Sequence, residues 1–146
     1  MTTVSRKTVR SVALPAEHGG WSFWLEPVLL AMLVAASGTG VALVVLSLAS
    51  FLMRQPLQIA LIDLRKKKLY LRTRLGIGFV ALYGLIGLLA LLAALSGGGL
   101  IVILPLVPAY GVALLQVWLF DSRGNSRHWI PEVIGAFVMS AFAVSI

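Results

Sequence analysis

The residues best suited to chemistry lie in a phrase that occurs twice, each time at the end of an apolar run. Residues 57–65 (LQIALIDLR) and 115–123 (LQVWLFDSR) both fit L-Q-x-x-L-x-D-x-R. The repeated aspartates, Asp63 and Asp121, could bind a divalent cation through their carboxylate oxygens, or could neutralise the arginines two residues further on. Because polytopic proteins often contain internal repeats, the phrase predicts a duplicated helical hairpin.

Three unrepeated residues are the candidates for acid–base catalysis: Glu17, His18 and Glu26. Histidine gains or loses a proton near neutral pH, so Glu17 or His18 could act as a base. Glu26 lies inside the first apolar run, where a charge is costly and usually has a partner. Arg54 lies at a matching depth in the second run. We therefore predict an ion pair between Glu26 and Arg54.

Four arginines are candidates for anion binding or ion pairing: Arg54, Arg65, Arg123 and Arg127. At 100° per residue, Arg54, Gln58 and Arg65 fall within about 40° of one another on one helix face. Asp63 points away from that face. Gln58 and Gln116 occupy equivalent positions in the two repeats, so we expect polar contacts from them across helices.

The composition indicates a membrane protein. The 146 residues are 60% hydrophobic and 12% charged, with a mean hydropathy of +0.99, whereas soluble domains have about 25% charged residues. There is no cysteine, which excludes disulfides and thiolate metal sites. The net charge is +7, but the cations flank apolar runs as in the positive-inside rule. This distribution argues against a nucleic-acid partner.

The apolar runs predict an all-α, polytopic integral membrane protein with about five transmembrane helices in a single domain. The architecture is two duplicated hairpins plus one helix. About 20 helical residues cross a bilayer core, and the predicted spans are about 21–37, 40–61, 75–95, 100–120 and 130–146.

Charge predicts the orientation of these spans. The turns SGTG (37–40) and SGGG (96–99) are uncharged, while all 17 charged residues fall within 6–26, 54–74 and 121–132. We therefore expect a cytoplasmic N-terminus. The last run stops inside apolar sequence, so the chain could be a fragment that lacks a sixth helix.

Three stretches, PAEHGGWSFWLEP (15–27), RQPLQIALIDLRKKK (54–68) and DSRGNSRHWIPEVIGA (121–136), carry a family resemblance. They resemble the YwiC-like family of small bacterial membrane proteins, which implies a bacterial inner-membrane location and no particular reaction.

A looser similarity is to the UbiA-type intramembrane prenyltransferases, whose duplicated hairpins carry aspartate motifs for magnesium diphosphate. Asp63 and Asp121 stand where those motifs would be, although this chain has one aspartate per repeat instead of several. The resemblance implies Mg²⁺ as a cofactor and an isoprenoid or lipid diphosphate as substrate.

The polar residues together predict a pocket on the cytoplasmic side, and three functions remain open. One is a non-catalytic membrane partner whose basic loops bind anionic lipids of the bilayer or a cytoplasmic protein. The second is a UbiA-like enzyme, and the third is a small transporter subunit that uses the interface between the repeats. Fold and location alone do not decide among them.

Overall fold

The computed structural model of the chain describes residues 6–14, 18–67, 69–119 and 129–146. No strand occurs in these residues, and the predicted all-α fold is confirmed. The helices are α1 (Arg6–Ala13), α2 (His18–Val34), α3 (Gly38–Arg65), α4 (Leu71–Gly98), a 3₁₀ helix (Leu100–Ile103), α5 (Leu106–Leu119) and α6 (Trp129–Ser145).

Several helices are long and apolar enough to cross a bilayer. In the part of the chain that the structure describes, three segments meet that description: Gly38–Arg65, Leu71–Gly98 and Leu100–Val117. Two shorter apolar helical segments, Trp24–Val34 and Val133–Ser145, accompany them. This confirms the predicted class, a polytopic membrane protein. The individual spans and the internal duplication stay predictions.

Helices α3 and α4 form the most extensive helix pair, an antiparallel hairpin. Many of the residues that they bury are small, which lets two backbones approach closely. A Cβ added at Gly76 would lie 3.1 Å from the carbonyl oxygen of Pro56, and one at Gly87 would lie 3.6 Å from the Cβ of Ala49. These two close approaches set the register of the hairpin.

The apolar core lies on another side of the hairpin, where α5 and α6 pack. Its buried residues are Leu43, Leu46, Ala90, Ala94, Leu106, Ala109, Val138 and Phe142. One hydrogen bond links α3 to α5 at the edge of this core, with 2.6 Å between the hydroxyls of Ser50 and Tyr110. The Tyr110 ring meets the Phe142 ring edge-on.

Helix α2 packs antiparallel to α3 through aromatic residues. The Trp24 indole donates to the Ser47 hydroxyl at 3.0 Å, and the Trp21 ring meets the Phe51 ring edge-on at 5.2 Å. Extrapolating this register places the first residue of α2, His18, level with Arg54. The last eleven residues of α3 therefore extend about 16 Å past the start of α2, at 1.5 Å per residue.

The hairpin thus has two different ends. We call the end at which α3 stops at Arg65 and α4 begins at Leu71 the charged end. The opposite end, where α3 begins at Gly38 and α4 stops at Gly98, is the uncharged end. At the uncharged end the Ser37 hydroxyl caps α3 by accepting the amide hydrogen of Gly40 at 2.8 Å.

Candidate functional site

The charged end is closed by a short turn. We call its described residues, 62–67 and 69–74, the hairpin tip. The amide of Lys66 donates to the Ile62 carbonyl at 3.2 Å, and the amide of Lys67 donates to the Leu64 carbonyl at 2.9 Å. Lys67 adopts a φ of 52°, the left-handed conformation in which helices often stop. The hydrogen bond from its amide to the Leu64 carbonyl completes the end of the helix.

A buried carboxylate joins the two helices at this tip. The side chain of Asp63, in the last turn of α3, is 1% exposed. Its Oδ2 accepts a hydrogen bond from Nε of Arg72 at 2.9 Å, and its Oδ1 accepts one from Nη2 of Arg72 at 2.7 Å. Two parallel bonds of this kind fix geometry as well as adding energy. Asp63 therefore holds the first turn of α4 in place.

A threonine extends this arrangement. The Thr73 hydroxyl donates to Oδ2 of Asp63 at 2.8 Å and accepts the amide hydrogen of Tyr70 at 3.2 Å. That amide is one of the groups at the start of a helix that the helix itself leaves unpaired. The carboxylate also lies beside the N-terminus of α4, where the helix dipole favours a negative charge. Asp63, Arg72 and Thr73 thus form a clamp, and we refer to these three residues by that name.

The clamp fixes a tip whose other cations face outward. Arg65, Lys66, Lys67 and Arg74 are exposed. Arg72 is itself 55% exposed, and its guanidinium carbon lies 5.3 Å from the centre of the Tyr70 ring. Because the Asp63 carboxylate is already paired with Arg72, it does not neutralise the outward cations, which can bind an external anion.

Apolar side chains lie among these cations. Leu64, Leu69, Tyr70 and Leu71 are all exposed, Leu69 most of all at 66%. Long basic side chains beside apolar and aromatic ones are typical of surfaces at the boundary between a bilayer and water. The hairpin tip has the composition of such a surface.

Helix α1 contacts both α3 and α4. Val12 and Ala13, at its end, are buried, and the Ala13 carbonyl accepts a hydrogen bond from the Tyr83 hydroxyl at 3.1 Å. This contact ties the basic N-terminal helix to the hairpin. Arg10, one turn earlier, is exposed.

Of the predicted residues that the structure describes, Asp63 is the one that belongs to the clamp. Arg65, two residues after Asp63, is exposed. Glu26 and Arg54 are both exposed as well, and their ion pair stays a prediction. Gln58 is half-buried, while Gln116 is buried at 5% exposure; their polar contacts across helices also stay predictions.

Several predicted residues lie outside the described part of the chain. These are Glu17, Asp121, Arg123 and Arg127. His18 begins α2, but its side chain is likewise outside the description. The catalytic and anion-binding roles predicted for these residues stay predictions.

A magnesium role for Asp63 and Asp121 also stays a prediction. Both oxygens of Asp63 already accept hydrogen bonds from Arg72, and one accepts a further bond from Thr73. A cation at this place would have to displace the arginine. Within the described residues, no three His, Asp or Glu side chains lie together as a group that could hold a metal.

Reasoning from sequence missed Arg72 and Thr73. The predicted spans 40–61 and 75–95 leave Arg72 and Thr73 in the connection between two helices. Helix α4 begins at Leu71, so Arg72 and Thr73 lie in its first turn, opposite the last turn of α3. The available signal was the short separation between Asp63 and Arg72, which a tight helical hairpin brings together.

The fold and the charged end of the hairpin define a class, a polytopic membrane protein with a basic helical hairpin. The profile of the family described as YwiC-like protein matches residues 14–146. The chain belongs to the YwiC-like family, as its resemblance predicted. No curated protein and no solved structure shows a significant match to it.

Proposed function

We propose that this protein is a non-catalytic, multi-pass protein of the bacterial cell membrane whose hairpin tip binds the headgroups of anionic lipids at the cytoplasmic face. The observation that carries the proposal is the clamp. It uses the buried carboxylate of Asp63 to fix the turn, and it leaves Arg65, Lys66, Lys67 and Arg74 exposed. A fixed cluster of cations loses less side-chain and loop entropy on binding than a mobile one.

The length of α3 supports contact with headgroups. Its 28 residues correspond to about 42 Å, whereas the hydrocarbon core of a bilayer is about 30 Å thick. Counted from Gly38, the core ends near residue 58. The end of α3 then lies about 10 Å further out, in or just above the layer of headgroups, where basic side chains reach lipid phosphates.

The distribution of charge supports the cytoplasmic orientation. The turns at the uncharged end, 37–40 and 96–99, contain no charged residue. The cations of the hairpin tip lie at the other end, and cytoplasmic loops are the ones enriched in lysine and arginine. The cytoplasmic leaflet is also the one with the more negative surface potential, so a basic tip there faces its ligand.

The experiment compares two lipids around the reconstituted protein. Spin-labelled phosphatidylglycerol and phosphatidylcholine report, by electron spin resonance, the fraction of each lipid that the protein immobilises. We define the association ratio as the association constant of the anionic lipid divided by that of the zwitterionic one. The ratio is expected to exceed one at low salt and to fall towards one near 1 M salt, where the screening length is about 3 Å.

Variants locate the effect at the hairpin tip. Each cation near an anionic surface contributes up to about 1 kcal/mol, or about fivefold in the ratio, so the double substitution Lys66→Gln and Lys67→Gln is expected to lower the ratio by about four- to twenty-five-fold. The matched control, Lys66→Arg with Lys67→Arg, retains the charge and should retain the ratio. A wild-type ratio of one, or an unchanged ratio in the glutamine variant, would contradict the proposal.

A further inference from the structure

One residue of the turn is in a conformation that its side chain disfavours. Lys67 has a φ of 52°, and among the described residues it is the one non-glycine residue with a positive φ. An L-residue with a Cβ pays for this conformation, whereas glycine adopts it freely. Glycine is accordingly the common residue at this place after a helix. The end of α3 has a lysine there instead.

Among the described residues, no side-chain contact compensates for the conformation of Lys67. Its side chain is exposed. The bond that its amide donates to the Leu64 carbonyl is a backbone bond, available to any residue except proline. Within the described part of the chain, Asp63 pairs with Arg72, and no carboxylate forms a salt bridge with Lys67.

The position of Lys67 nevertheless suits a cation that binds an anionic group outside the protein. Lys67 directly follows Arg65 and Lys66, and exposed Leu69 and Tyr70 come shortly after it. The left-handed residue lies in the turn between α3 and α4, at the charged end of the hairpin. Strained backbone is often found at binding sites, where the surrounding structure holds it in place.

From these observations we propose that Lys67 is a phosphate-binding residue of the hairpin tip, and that the turn gives up stability to present its ammonium group to lipid phosphates. This inference rests on the proposed lipid-binding function. It goes beyond that function because it names one residue, Lys67, that strengthens lipid binding and lowers the stability of the fold. A lysine with a purely structural role would not show that opposition.

The test uses Lys67→Gly and measures two quantities. The first is the thermal midpoint of unfolding in detergent, followed by tryptophan fluorescence. Removing the strain should raise it by about 2–4 °C. The second is the association ratio of phosphatidylglycerol over phosphatidylcholine in reconstituted membranes. Losing one cation should lower that ratio by about two- to fivefold.

Two further variants separate charge from strain. Lys66→Gln removes a cation from a residue with a φ of −78°, so it should lower the ratio without raising the thermal midpoint. Lys67→Asn removes the charge but keeps a residue that tolerates the left-handed region. It should lower the ratio as Lys67→Gly does.

The outcomes distinguish this inference from the function on which it rests. If the Lys66→Gln, Lys67→Gln double variant lowers the ratio but Lys67→Gly does not, Lys67 is not a binding residue and the lipid-binding function stands. If neither lowers it, both proposals fail. A Lys67→Gly variant with a lower thermal midpoint would overturn the claim that the turn gives up stability at Lys67.

Discussion

The two ends of the α3–α4 hairpin are built from different chemistry. At the uncharged end, where α2 leads into α3 and α4 leads into the 3₁₀ helix, Ser37 caps α3, and Gly98 lies so near Val102 that an added Cβ would overlap that side chain. At the charged end, Asp63 is buried and joined to Arg72 by two hydrogen bonds. One end is held together by close packing, and the other by an ion pair whose carboxylate is buried.

This difference bears on function, because an ion pair with a buried carboxylate is not the most stable way to close a hairpin. Removing charges from water is costly, and well-packed apolar residues often stabilise a protein as much or more. The uncharged end shows that this chain can close a turn without charges. At the charged end, the clamp also fixes the turn and leaves its cations exposed. The proposed lipid binding requires both.

The largest effect should come from breaking the clamp. Asp63→Ala removes both carboxylate oxygens that accept hydrogen bonds from Arg72 and leaves the Thr73 hydroxyl without its acceptor. Losing one member of a fully buried pair costs about 3–5 kcal/mol. Because Arg72 is 55% exposed, we expect about 2–3 kcal/mol, measured as the free energy of unfolding by denaturant titration in mixed micelles.

A double variant tests whether the ion pair of the clamp stabilises the protein more than apolar residues in the same places would. Asp63→Leu with Arg72→Leu replaces the pair by apolar residues, which should recover most of the lost unfolding free energy. The comparison between the two ends would fail if Asp63→Ala cost less than about 0.5 kcal/mol, the usual range of a surface substitution.

The next largest effect is expected at the uncharged end. Gly98→Ala places a methyl group where the Val102 side chain already lies, and overpacking of this kind costs about 1–2 kcal/mol. Val102→Ala in the same chain should restore most of the loss in unfolding free energy. Gly84→Ala is the matched control, since nothing lies within 4 Å of a Cβ added there. Equal losses in the two single variants would show that close packing does not close this end.

A smaller effect should follow from removing the helix cap. Ser37→Ala takes away the hydroxyl that accepts the Gly40 amide hydrogen, and the loss of such a cap costs about 1 kcal/mol. Ser96→Ala, near the end of α4, removes an exposed hydroxyl that bonds to the Ala93 carbonyl one turn earlier, so its unfolding free energy should change little. If Ser96→Ala proved the more costly, Ser37 would not be the cap on which this end depends.

Much of the fold could be predicted because apolar runs and charge follow simple physical rules. The apolar runs predicted an all-helical membrane protein, and the charge pattern separated residues 37–40 from residues 63–74. The clamp could not be predicted, because it depends on where α4 begins. With α4 starting at Leu71, Arg72 and Thr73 meet Asp63 across the turn, and a shift of one residue would rotate them about 100° away.

Lys67 shows a second limit of sequence reasoning. Composition placed it in a basic run together with Arg65 and Lys66, and nothing in that run marks one lysine as different. Its left-handed backbone is set by the way α3 stops and α4 begins. Only the geometry of the turn distinguishes it from its neighbours.

The measurement that tests lipid binding most directly is the distance between lysine nitrogen and lipid phosphorus. The chain has four lysines, and three of them, residues 66–68, are consecutive. Protein labelled with ¹⁵N at lysine Nζ and reconstituted in phosphatidylglycerol membranes allows solid-state ¹⁵N–³¹P dipolar dephasing to be recorded. We expect strong dephasing in the wild type and a smaller total dephased signal in the Lys66→Gln, Lys67→Gln variant, which keeps Lys7 and Lys68 as its two lysines. No dephasing in the wild type would contradict binding of lipid phosphate at the hairpin tip.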